Sequence, residues 1–200
     1  MRQAGSMAPN HGSRRAGSYQ VAPSHWRLSV LHLAAPVKRT GSFRSPGNGG
    51  KFDTIDGVHR PVVVVDTNVF VSACLGSGPA NQVVRMALTG QCRPLMGAAL
   101  FSEYQDLLGR EPLWLASPLT RAEREELFEV FLATCQWTRV YFAWRPNLAD
   151  EGDNHLIELA VAGGASVIVS RNLRDLMRGQ LLFPQLQVMD PAGFLKEFYS

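Results

Sequence analysis

The 200-residue chain has only three cysteines, Cys74, Cys92 and Cys135, widely spaced and in no CxxC or Cys/His cluster. That argues against a disulfide framework and against a structural zinc site. Long hydrophobic runs are missing as well. The longest, Leu28 to Val37, carries His32 and Pro36 and falls short of the roughly 18 apolar residues a membrane span needs. Preceded by Arg14, Arg15 and Arg27, it has some look of a signal-peptide hydrophobic region, but no small-residue cleavage site follows. The sequence therefore predicts a cytoplasmic protein with no membrane partner. No GxGxxG follows the first apolar run, which argues against a dinucleotide-binding protein.

Acids are scarce at the front. The first 60 residues hold nine Lys/Arg against two Asp/Glu and the rest hold eleven against fifteen, so the formal charge of +3 averages a +7 segment and a −4 segment. Residues 1–58 are rich in Gly, Ser, Pro and Arg, show neither a 2.0 nor a 3.6 period, and include Ser45-Pro46-Gly47-Asn48-Gly49-Gly50. Such a stretch lacks the apolar area to offset ordering entropy, and it is predicted to be a disordered basic extension. Two origins suit it: upstream sequence from a misassigned start, with translation beginning near Val58, or an RNA-binding arm. A single folded domain is expected over 60–198.

What is there is an alternation of strands and helices. Val62-Val63-Val64-Val65 is a β-branched run of the kind buried on both faces of a parallel sheet. A short helix through Cys74 follows, then one from Pro79 to Gly90 and a strand near Cys92 to Met96. Next come a helix over Ala98 to Gly109, a helix opened by the Thr120/Glu123 capping box and running to about Thr134, and a strand from Trp137 to Phe142. Asp153 is placed to cap a helix carrying Leu156, Leu159 and Ala160. Ser166 to Ser170 is a second apolar strand, and Leu186 to Met189 precedes a helix begun by Asp190-Pro191. This order predicts an α/β domain, a three-layer α/β/α sandwich with a central parallel sheet.

Sites in such sheets form at the carboxyl ends of strands. The acids fall there: Asp66 ends the first strand, Asp150, Glu151 and Asp153 surround a helix entrance, and Asn172 and Asp175 follow the SVIVS strand. Glu103 joins them if its helix packs beside the first strand. Each has an ordinary explanation when taken singly, as a helix cap, a solvated side chain or a loop charge. Together, carboxylates without His or Cys repel one another unless they hold a hard cation, which means Mg²⁺ or Mn²⁺. A metal so held activates water and neutralises a phosphodiester in transit. Arg171, Arg174 and Arg178, spaced three and four apart, suit substrate phosphates on one helical face, or simply a solvated face.

The order of Val63-Val64-Val65-Asp66-Thr67-Asn68-Val69, Ser102-Glu103-Tyr104, Asp150-x-x-Asp153-Asn154 and Ser170-x-Asn172 resembles the PIN-domain family, in particular the bacterial VapC-like toxins of toxin–antitoxin pairs. The resemblance covers about 60 to 198. It implies a metal-dependent ribonuclease with Asp66, Glu103 and Asp153 as the three core carboxylates and Asp150 as a neighbouring acid. Thr67, Asn68 and Ser170 are expected to orient Asp66. It also implies an RNA substrate, a cognate antitoxin and a homodimer. Two positions depart from the family's pattern: Gly152 stands where many members carry an acid, and Asn172 stands where the last motif usually has Asp. Asp175, one turn later, is a candidate substitute ligand. The competing reading is a catalytically weak PIN-fold module that binds RNA or protein. Phosphotransfer on Asp66 is disfavoured, because haloacid dehalogenase-like enzymes place a second Asp where Asn68 stands.

Overall fold

A computed structural model describes residues 52–55, 58–143, 148, 151–179 and 183–199. The four valines lie in β2, Val58–Val65, and Val63, Val64 and Val65 are all essentially inaccessible. Successive side chains of a strand point to opposite faces, so burial of three in a row means that both faces of the sheet are covered. Each such side chain contributes about 1.5–3 kcal/mol on burial.

Five parallel strands line up in the order β4-β3-β2-β5-β6, where β3 is Arg93–Met96, β4 Gln136–Trp137, β5 Val167–Val169 and β6 Gln187–Met189. The helices between them are α1 (Thr67–Leu75), α2 (Pro79–Leu88), α3 (Ala98–Gly109), α4 (Arg121–Thr134), α5 (Asn154–Gly163), α6 (Leu173–Leu176) and α7 (Pro191–Phe198). Helix α5 packs on β2, β3 and β5, whereas α2 packs with α1, α4 and α7. This is the α/β architecture expected, with the predicted capping box at Thr120 and Glu123 formed. Helix α5 ends at Gly164, whose φ of 67° is the left-handed conformation that favours glycine.

Two expectations are corrected. Residues 52–55, assigned to the disordered extension, form β1 (Phe52–Ile55), antiparallel to the front of β2 with Phe52 opposite Pro61. The parallel neighbours begin only at Val62 and Val63 of β2, so its first residues carry ladder groups that β1 satisfies. The rest of the extension lies outside the described residues. The strand predicted from Trp137 to Phe142 is only Gln136–Trp137. Among the described residues it is an edge strand paired only with β3, which ends at Met96; the Thr138 N–H donates to the Met96 carbonyl at 2.8 Å, and no described strand extends the pairing further.

Strand β2 has β3 on one side and β5 on the other, and the chain visits them in opposite directions across the sheet. Its carboxyl end is thus the switch point where loops diverge and leave a crevice. Asp66 is the next residue.

Candidate active site

Asp66 is the N-cap of α1 and is 5% exposed. Its Oδ1 accepts from the Asn68 N–H at 3.3 Å, the ordinary work of a helix cap. The other oxygen does more. Oδ2 accepts from Asn68 Nδ2 at 2.6 Å and from Ser170 Oγ, at the end of β5, at 2.5 Å. Asn68 Oδ1 accepts from the Arg171 N–H at 3.1 Å, which ties the loop after β5 to the start of α1. Asn68 and Ser170 therefore hold Asp66 in place, while the Thr67 hydroxyl lies 3.3 Å from its Oδ1. Burial pushes the Asp66 carboxyl above its ordinary value, the hydrogen bonds from Ser170 and Asn68 oppose this, and the charge of Glu103 adds to it.

Glu103 reaches the same place from α3. The Thr67 hydroxyl donates to its Oε1 at 2.7 Å, and Tyr104, fully buried beside it, donates its hydroxyl to the Val65 carbonyl at 3.0 Å. Tyr104 stacks on Phe128 with ring centroids 5.2 Å apart and meets Phe70 edge-on at 5.3 Å. The register of α3 on the end of β2 is fixed by packing and one buried hydrogen bond.

Asp153 arrives from the third side. It closes a 3-10 turn, Glu151–Asp153, and stands before α5, yet its side chain does not cap that helix. This corrects the expected capping role. Its Oδ2 instead accepts from Asn172 Nδ2 at 3.0 Å, and the Asn172 N–H donates to Ser170 Oγ at 2.9 Å. Hydrogen bonds therefore run from Asp66 through Ser170 and Asn172 to Asp153, while Glu103 is bonded to Thr67, the residue that follows Asp66.

His155 was not anticipated. Its Nδ1 lies 2.6 Å from the Gly152 carbonyl, which only accepts, so Nδ1 carries a proton. Nε2 stands 3.1 Å from Glu103 Oε2 as a charge contact without hydrogen-bond alignment. Burial alone would lower the imidazole's pKa, but Glu103, the Gly152 carbonyl and the charge of Asp153 outweigh it and raise it. The His155 contact is in turn the main reason that the Glu103 carboxyl falls below its ordinary value. The only sequence signal for His155 was its place two residues after Asp153.

The remaining candidates divide. Asp150 lies outside the described residues. No hydrogen bond among the described residues ties Asp175 to the network. Helix α6 is only four residues long, so of the three arginines Arg174 alone is helical; all three are exposed, and the Arg171 guanidinium is committed to Ser72 Oγ at 2.7 Å. The three cysteines are free thiols pushed up to about 12 by burial, which leaves them no part in the chemistry.

The ligand chemistry suits a hard cation: oxygen donors alone, with two carboxylates meeting at a single Thr67 proton. Among the described residues, however, no three His, Cys, Asp or Glu side chains converge closely enough to hold a metal ion. Asp66 and Glu103 both approach the Thr67 hydroxyl, while Asp153 is linked to Asp66 through Ser170 and Asn172. Also among the described residues, no helix is long and apolar enough to cross a membrane.

Carboxylates gathered at the switch point of a parallel sheet stand where α/β domains bind their ligands. The family model for the PIN domain matches residues 62–174, from β2 into α6 and including every residue of the hydrogen-bonded site above, and the chain belongs to that family, whose fold is of the nuclease type. No curated protein matches it.

Proposed function

We propose that this protein is a metal-dependent endoribonuclease and the toxin of a toxin–antitoxin pair. The observation that carries the catalytic part is the gathering of three acids at the end of β2, Asp66 bonded through Ser170 and Asn172 to Asp153, and Glu103 bonded to Thr67. Asp66 and Glu103 would hold Mg²⁺ or Mn²⁺, Asp153 closing on the ion once the Asn172 side chain turns to offer its amide oxygen, with Asp150 or Asp175 as further oxygen ligands. The ion supplies Lewis acidity toward a water and toward phosphate oxygens. Ser170 and Asn68 hold the Asp66 carboxylate in place by donating to its Oδ2. Thr67 spaces Glu103 from Asp66, and the His155 contact lowers the Glu103 pKa below its ordinary value. Arg174 and Arg178, exposed beside the crevice, meet the substrate's phosphates, and Arg171 adds its charge from the rim, so affinity for RNA falls with salt. RNA as substrate, an antitoxin as protein partner and a homodimer are parts of the same proposal.

A catalytically weak binding module is favoured by one observation, the uncharged Asn172 beside Asp153. Cleavage of a structured RNA panel by the full chain, with and without Mn²⁺ or Mg²⁺, decides between them. Cleavage that needs the ion and is lost in both Asp66→Asn and Asp153→Asn supports the nuclease. Equal inertness of all three proteins, together with no Mn²⁺ binding by calorimetry, leaves the binding module. Asp175→Ala with unchanged metal affinity removes that residue from the ligand set.

A further inference from the structure

Beyond the carboxylates, the chain opens a groove where β4 ends and α3 begins, with a cavity of about 470 Å³ lined by Trp137, Thr138, Arg139, Tyr141, Phe142 and His155 among others. That volume suits one ligand of modest size. Its rim is aromatic: Trp137 is 53% exposed, Tyr141 77% and Phe142 76%. Three large rings in six residues, left to solvent, are costly on a surface unless something covers them. Trp137 is held by an edge contact with Phe101, ring centroids 5.9 Å apart, so its outer face is presented in a fixed orientation. In the wall, Thr138 is 8% exposed and its hydroxyl has no hydrogen-bond partner among the described residues. Arg139, exposed between these rings, adds a positive charge.

We propose that this groove receives an unpaired nucleotide of the RNA, its base stacked on the Trp137, Tyr141 and Phe142 cluster and its backbone near Arg139. The proposal rests on the ribonuclease reading and names where the strand flanking the scissile phosphate runs. His155 supplies the continuity, since it lines this cavity and also touches Glu103. A strand cut at Asp66 and Glu103 must continue to one side, and this side offers what single strands seek: π-faces, a cation and a hydroxyl able to donate or accept. Duplex RNA hides its base faces and cannot use such a platform.

The test is binding without cleavage. Fluorescence anisotropy of labelled single-stranded RNA is measured with the full chain in EDTA, against Trp137→Ala, the double variant Tyr141→Ala/Phe142→Ala, and Trp137→Phe. The two alanine proteins are expected to bind about ten- to a hundredfold more weakly, Trp137→Phe to stay within about threefold because a ring remains, and duplex affinity to stay unchanged in all. Because Tyr141 and Phe142 are largely exposed, the double variant keeps the fold, which a circular dichroism melt verifies. Alanine variants that bind single strands as the parent does would overturn the inference and mark the rings as a protein-docking face. Equal losses for duplex and single strand, or no RNA binding by the parent chain, would also overturn it. Since nothing is cut in EDTA, this result is independent of the cleavage assay, and either proposal can fail alone.

Discussion

The Thr67 hydroxyl lies 2.7 Å from Glu103 Oε1 and 3.3 Å from Asp66 Oδ1, one proton between two carboxylates. A hydroxyl donates once, so the shorter contact takes the proton and Asp66 Oδ1 is left facing an oxygen. Two acids are thus gathered by a donor that satisfies one of them. A cation between them, or a proton on Asp66, relieves the excess of acceptors.

That shortage fixes the stability of Asp66→Asn. The folded-state pKa of Asp66 is raised, chiefly by burial, above the ordinary 3.8. A carboxyl raised on folding binds its proton more tightly in the native state, so it costs no charge burial below 3.8, and the cost grows as pH rises through the folded value. In Asp66→Asn the amide oxygen can keep the bonds from the Asn68 and Ser170 side chains while its N–H donates to Thr67, at the expense of the 3.3 Å cap bond from the Asn68 N–H. The variant is expected to be more stable than the parent by about 1 kcal/mol at pH 7.5 and to lose that advantage near pH 4. Thermal melts of both proteins in EDTA at the two pH values measure the difference; an unchanged advantage at pH 4 would disprove the assignment to charge burial.

The fold was largely legible in the sequence because its signals are local. Four valines closed by an aspartate, a capping box at Thr120 and Asp190-Pro191 each encode a local element, and all three appear. What was hidden depends on partners distant in sequence. The length of β4 is set by β3, which ends at Met96, and β1 exists because the front of β2 has no parallel neighbour. Within the site, Thr67, Asn68 and Ser170 were visible from their spacing around Asp66. His155 was not, because its role comes from Glu103, 52 positions earlier along the chain and brought close by packing between α3 and α5. The expected cap at Asp153 failed for the same reason, since Asn172 competes for the carboxylate.

The Glu103–His155 contact predicts a pH window. Glu103, lowered from 4.5, contributes stability present above 4.5 and lost as pH falls through its folded value; His155, raised from 6.5, contributes stability present below 6.5 and lost as pH rises through its folded value. Both are complete between those ordinary values. His155→Gln should therefore cost most near pH 5.5 and little at pH 9. Because the Glu103 side chain is 39% exposed, solvent screening limits the loss to about 0.5 kcal/mol. Urea titrations across pH 5 to 9 check the profile, and a loss that grows toward pH 9 would contradict it.

Tyr104 links stability to the site. Its hydroxyl is the donor to the buried Val65 carbonyl, the last of β2, and Glu103 is its neighbour on α3. Tyr104→Phe removes the donor and leaves the ring stack with Phe128 and the edge contact with Phe70 in place. Leaving a buried acceptor unpaired costs about 1–3 kcal/mol. A comparable loss in urea denaturation is expected, with a lower rate of RNA cleavage at saturating metal as α3 gains freedom over Asp66. A fully stable variant would show that water replaces the hydroxyl.

Asn172→Asp changes the balance between hydrogen bond and charge. The Asn172 Nδ2 donates to Asp153 Oδ2 at 3.0 Å; with aspartate there, two acceptors face each other across the same gap with no proton between them, and the close like charges repel. In EDTA the variant should melt several degrees below the parent, a cost of about 1 kcal/mol. The same change adds a fourth charged oxygen ligand to Asp66, Glu103 and Asp153, so a divalent ion that binds the folded state stabilises it more. Titrating Mn²⁺ into both proteins should therefore raise the melting temperature of Asn172→Asp further than that of the parent and carry it past the parent at saturation. If Mn²⁺ leaves the variant below the parent at every concentration, Asp153 and residue 172 do not share a cation, and the Asn172 side chain serves only to position Asp153.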